Sequence, residues 1–105
     1  MNNYYECGDG WLPLIKEAEN IVEQYNKKHK NTEPLEFLQI KEKWGYLCMY
    51  LNYYVKDVQN KIDALEEKSH NICENCGSTK NVTTKDVNGW ISTLCDKCRK
   101  VNENT

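Results

Sequence analysis

Apolar and polar positions alternate with two different periods along this chain. Trp11, Leu14, Ile15, Ala18, Ile21, Val22 and Tyr25 fall at i, i+3, i+4, i+7 spacing, the stripe of a helix that buries one face. A helix over about 11–29 follows, with Pro13 in its first turn, Asp9 placed to cap it, and Lys27, Lys28 and Lys30 gathered at its C-terminal end. Tyr4 to Gly10 reads as an extended lead-in ending in a turn, and Asn31-Thr32-Glu33-Pro34 breaks the helix. The period then changes to two. Leu38 and Ile40 alternate with Gln39 and Lys41, and Leu47, Met49 and Leu51 with Cys48 and Tyr50. This predicts a β-hairpin over 35–51 turned at Lys43-Trp44-Gly45. A second helix is expected from Tyr53 or Tyr54 to about Lys68, with Tyr54, Val55, Val58, Ile62 and Leu65 on its buried face. A last hairpin, Thr83 to Asp86 and Trp90 to Leu94, turns at Asn88-Gly89.

That last hairpin lies between two Cys-x-x-Cys pairs. Cys73 and Cys76 are separated from Cys95 and Cys98 by eighteen residues, a spacing at which four thiolates satisfy Zn²⁺ in a closed, structural site. Gly77, directly after Cys76, suits the positive φ of a knuckle. The second pair lacks such a glycine and runs into Arg99-Lys100-Val101-Asn102, the start of a short helix. The asymmetry favours a treble-clef-like order of knuckle, hairpin and helix; a zinc ribbon with two knuckles is the competing geometry. Disulfides, a redox pair, an iron–sulfur cluster and His70 as a substitute ligand are the weaker rivals. Met1 to Tyr5 carries no apolar signal segment, and a thioredoxin-type site would use a single pair. With every coordination position filled by protein, the zinc holds structure and does not catalyse.

The expected architecture is therefore α+β: a helix–hairpin–helix part over 1–69 and a Cys₄ zinc module over 70–105 packed on it. At 105 residues the core is small. The formal charge is −2, and four thiolates with Zn²⁺ bring it near −4. Residues 1–69 carry nine lysines against twelve acids and residues 70–105 five bases against four acids. Neither part has the basic excess that drives phosphate binding, which argues against a nucleic-acid role for the zinc module. No apolar run is long enough to span a bilayer, and reduced cysteines without a signal segment place the chain in a cytosol.

Several segments taken together carry a resemblance. Gly8-Asp9-Gly10-Trp11, Lys41-Glu42-Lys43-Trp44-Gly45-Tyr46-Leu47 to Tyr50, Cys73-Glu74-Asn75-Cys76-Gly77 and Gly89-Trp90-Ile91-Ser92-Thr93-Leu94-Cys95 occur in this order. The order resembles a family of small bacterial and bacteriophage zinc-binding proteins of the GDGW … KEKFGxLRFY … CxxCG … GWxxTLC type. The match spans nearly the whole chain, and it implies a phage or prophage setting without implying an activity. One departure is that Cys48-Met49-Tyr50 stands where the pattern has Arg before Phe-Tyr.

Candidate binding residues are Lys41 and Lys43, which share a strand face with Gln39 and, across the hairpin, Tyr50. Asp9 and Trp11 could line a small pocket near Lys41, and Trp44 at a hairpin turn is a partner anchor. Trp90 is expected to pack against the knuckle, His29 and His70 to lie at the surface, and Cys7 and Cys48 to act as small hydrophobes. The sequence holds no nucleophile elbow, phosphate-cradling glycine loop or His-Glu zinc motif, so an enzyme is not expected. Three readings follow. The first is a non-enzymatic interaction protein of phage origin that binds and modulates a host protein, as a counter-defence inhibitor. The second is a nucleic-acid-binding zinc-finger regulator. The third is a binder of a small anionic or nucleotide ligand through Lys41 and Lys43.

Overall fold

The computed structural model describes residues 5–103 and is a mixed α and β structure. Residues 5–6 form a short strand, β1 (Tyr5–Glu6), and a 3-10 turn (Asp9–Trp11) then leads into α1 (Leu12–Lys28), close to the expected bounds. Tyr4, at the head of the expected lead-in, lies outside the described residues. Pro13 falls in the first turn of α1, and Leu14, Ile15, Ala18 and Val22 are buried. The expected cap is not formed. Gly8 takes the cap position of the 3-10 turn, which places exposed Asp9 one residue inside, where its side chain caps neither turn nor helix.

The central hairpin pairs β2 (Phe37–Lys43) with β3 (Tyr46–Leu51), while β1 joins the free edge of β2 in parallel. Lys43 faces Tyr46, leaving Trp44-Gly45 as a two-residue loop with φ of +57° and +86°, the I′ geometry that follows strand twist. Ile40, Leu47 and Met49 enter the core. Leu38 does not. The register slips between Phe37 and Gln39, and this β-bulge turns Leu38 outward, 68% exposed.

The second helix, α2 (Lys56–Lys68), covers the sheet with Val58, Ile62 and Leu65. It begins later than its stripe suggested, after extended Val55, and Tyr54 stays exposed. The reason is Asn52, which accepts from Glu36 N–H (2.9 Å) and donates through its amide to Pro34 O (3.1 Å). Those bonds hold the chain against the 34–36 loop and postpone the helix. A 3-10 turn (Ser69–Asn71) follows. The buried Ser69 hydroxyl donates to Glu66 O (2.6 Å) and accepts from Leu47 N–H (2.9 Å), tying the helix end to β3.

The second hairpin, β4 (Val82–Val87) and β5 (Trp90–Cys95), turns at Asn88-Gly89 as expected and enters α3 (Asp96–Glu103). The apolar interior is divided. One cluster gathers Trp11, Ile15, Ala18, Leu35, Ile40, Leu47, Ile62 and their neighbours. The other contains only Cys73, Leu94 and Cys95, with Val82 and Cys98 against them. So small a cluster cannot offset the entropy of ordering a hairpin and a helix, and cohesion there falls to the sulfurs.

Candidate metal centre and hairpin cleft

The four thiols of Cys73, Cys76, Cys95 and Cys98 converge, all sulfurs lying within 4.8 Å of one another. The first pair sits on a knuckle. Gly77 N–H donates to Cys73 O (2.9 Å), Cys73 N–H to Ser78 O (2.8 Å), and Gly77 takes φ +84°. Cys95 closes β5 and Cys98 stands in the first turn of α3. The two halves repeat one device: Cys76 N–H points at Cys73 Sγ and Cys98 N–H at Cys95 Sγ, both at 3.5 Å. Burial opposes charge on Cys73, but the amides of Cys76, Cys95 and Asn75 outweigh it and hold the thiol down to about 6. Cys98 goes the other way. Asn75 Nδ2 donates to its sulfur at 3.3 Å, yet partial burial and the bonds with the sulfurs of Cys95, Cys76 and Cys73 push it up to about 12. Thiolates crowded this closely repel one another, and a divalent cation among them removes the conflict. The cluster is a candidate metal site. Neither histidine belongs to it: His29 stacks on Tyr25 and His70 on Tyr46.

The Gly8-Asp9-Gly10-Trp11 segment is fitted to the back of this knuckle. Gly10 N–H donates to Glu74 O (2.9 Å), and the indole N–H of Trp11 donates to Ile72 O (2.9 Å). A Cβ on Gly8 would lie 2.2 Å from Glu74 O, and one on Gly10 would lie 2.1 Å from Cys73 O. Glycine is required because backbone meets backbone. Trp11 is fully buried, and Asp9 points to solvent. Gly8, Gly10 and Trp11 bolt the helical part to the metal module. Sequence periodicity could not show this, since the partner backbone lies more than sixty residues away.

The turn of the first hairpin also meets the strands of the second. Thr93 Oγ1 donates to Gly45 O, Thr84 and Thr93 share a hydroxyl bond (2.7 Å), and Gly45 is packed against Thr84 and Ile91. With the hairpins so joined, Trp44 and Trp90 both border a cleft of about 340 Å³ lined also by Glu42, Lys43, Asp86, Gly89 and Ile91. Trp44 is 65% and Trp90 73% exposed. Trp90, expected to pack on the knuckle, opens β5 directly after the Asn88-Gly89 turn and is mostly exposed, but it does border a smaller cavity of about 150 Å³ with Glu74 and Asn75 of the knuckle.

Of the other candidates, Lys41 Nζ stands 5.8 Å from the ring centre of Tyr50, a cation–π contact, while Lys43 turns to the cleft beside Trp44. Cys7 and Cys48 pack as expected. Cys7 is pushed up to about 11 by burial and by Glu74, Asp9 and Glu42, so its thiol stays neutral. A feature the charge count missed is a basic groove on the tetracysteine side, lined by Lys85, Lys97, Arg99 and Lys100 with Asp96 the lone acid. Buried Arg99 donates through Nη2 to Thr83 O (2.6 Å). Averaging charge over thirty-six residues hid a cluster that β4 and α3 assemble.

Among the described residues, no helix is long and apolar enough to cross a membrane. Comparison of the chain with protein-family models, with curated proteins and with solved structures found no match. The fold and its sulfurs thus define the class, a mixed α and β protein with a tetracysteine site able to hold a metal ion.

Proposed function

We propose that this chain is a non-enzymatic, zinc-stabilised interaction protein that acts by docking on another protein through its two hairpin tips. The observation that carries the reading is the pair of solvent-exposed indoles, Trp44 and Trp90, on neighbouring turns. Exposed tryptophan is the residue type most enriched at binding hot spots, and here the same chain buries Trp11 completely. Trp44 also adopts φ +57°, a conformation that a bulky side chain rarely takes. Strain of this kind is retained where function needs the side chain in that place.

Zinc is the metal the site favours. Thiolates select soft or borderline ions, and Zn–S bonds of about 2.3 Å imply tetrahedral edges of about 3.8 Å, against 3.7 Å between the sulfurs of Cys76 and Cys95. The knuckle–hairpin–helix order supports the treble-clef-like form over the ribbon. The family resemblance supplies only the setting, a phage or prophage protein in a bacterial cytoplasm; small size, acidic balance and exposed aromatics then favour a host protein as partner and counter-defence as the role. The test is affinity purification from host lysate with the native chain and with Trp44→Asn/Trp90→Ser. One partner in stoichiometric amount, lost by the double variant at unchanged metal content, is expected. A partner retained by the variant, or none at all, overturns the reading.

A second reading is favoured by the basic groove of Lys85, Lys97, Arg99 and Lys100. It makes the module a nucleic-acid binder. Mobility shifts that weaken steeply with salt, and that vanish in Lys97→Ala/Lys100→Ala, would select it over the first.

A further inference from the structure

We propose that the cleft between the hairpin tips receives a positively charged side chain of the protein partner, arginine above all, held between Trp44 and Trp90 and facing Glu42 and Asp86. This rests on the docking reading above and names the chemistry of what docks. The cleft is too polar to be a plain apolar anchor site. Its two carboxylates are fixed at the lip by the turns themselves: Glu42 Oε2 accepts from Gly45 N–H and Asp86 Oδ1 from Gly89 N–H, both at 2.8 Å. Each carboxylate spends one oxygen on its own turn. Neither is ion-paired among the described residues. With Lys43 the only cation lining the cleft, the local balance is two negative charges against one positive.

An indole face carries negative potential, and tryptophan is the strongest aromatic partner for a cation. Two indoles with two carboxylates thus complement a cation, and Lys43 alone among the lining side chains would favour an anion. Guanidinium is preferred over ammonium because it is planar, weakly hydrated and able to stack while hydrogen-bonding in its own plane. The volume of about 340 Å³ suits one long side chain rather than a folded element. The site also explains the left-handed Trp44. An Asn or Gly in that position would relax the turn but would remove one wall of the cage.

The test follows the indole N–H signals of the full-length, metal-loaded protein by nuclear magnetic resonance. The probe is a pentapeptide of alternating glycine and arginine, compared with glycine–glutamate and glycine–leucine peptides at equal ionic strength. Trp11, buried and bonded to Ile72 O, is the internal reference. The arginine peptide is expected to move the Trp44 and Trp90 signals together and leave Trp11 in place. Glu42→Gln and Asp86→Asn keep an oxygen for the turn amides, and each should weaken the apparent affinity by about threefold or more; added salt should weaken it further. If the leucine or glutamate peptide moves both indoles equally well, the cation assignment falls and the docking reading stands. If arginine moves only one indole, the cage assignment falls. If no peptide moves either indole at millimolar concentration, both readings fall.

Discussion

Glycine and tryptophan carry different burdens at different positions in this chain, and single substitutions separate them. Gly10→Ala must push a methyl group into Cys73 O, 2.1 Å away. The knuckle or the 3-10 turn has to move, and a loss of about 3 kcal/mol or more is expected in urea denaturation. Gly89→Ala meets nothing within 4 Å and suffers only its φ of +85°, so it should cost about 1–2 kcal/mol. Trp44→Asn runs in the other direction. It replaces a bulky residue in the left-handed region by one that tolerates it, and the variant should be more stable by about 1 kcal/mol while losing its partner. Thermal melts alongside binding assays check both halves. At this scale much was legible in advance. The cysteine set, Gly77 and Gly45 announce themselves by spacing, because local chemistry dictates them. The roles of Gly8, Gly10 and Trp90 were not, since each depends on which distant surface lies across from it.

The elements were legible where a single period runs uninterrupted in the sequence, as over α1 and β3, and misread where a side chain intervened. The bulge at Leu38 and the Asn52 bonds that delay α2 both override the apolar pattern with local hydrogen bonding. The link between α2 and β3 gives an element-scale prediction. Glu66 Oε2 accepts from Met49 N–H at 2.7 Å, and the half-buried carboxyl is raised above its usual 4.5, with burial the leading cause. A carboxyl raised on folding favours the folded state below its unfolded value, and that benefit is lost as pH rises through the folded one. At neutral pH the charge is a liability. Glu66→Gln keeps an oxygen for Met49 N–H and should raise stability at pH 7 by under about 1 kcal/mol, the half-exposed group being screened. The advantage should fade as pH falls toward 4.5, which melts at several pH values would show.

The whole molecule is two unequal interiors joined by close backbone approach and by hydrogen bonds from Trp11 and Thr93, the smaller one dependent on its sulfurs. Structural zinc supplies about 10–16 kcal/mol of folding free energy, as much as a typical domain's entire stability of about 5–15 kcal/mol. Chelation should therefore strip hydrogen-exchange protection from Val82–Cys95 first, while α1 and α2 keep most of their far-ultraviolet signal. Metal uptake at pH 7 should also release protons, because Cys98, near 12, and Cys76, raised from 9, hold theirs in the free cluster. Calorimetry in buffers of different ionisation enthalpy measures that release, and acidification should weaken binding accordingly.

The bond from the Trp11 indole to Ile72 O has a consequence for biosynthesis. A ribosome adding about 5–20 residues per second needs roughly 3–13 s to extend the nascent chain from the tryptophan to the knuckle carbonyls that complete its seat. Throughout that interval the largest side chain of the main core is without its final polar partner, and chaperones meet an N-terminal helix with its hydrophobic stripe uncovered.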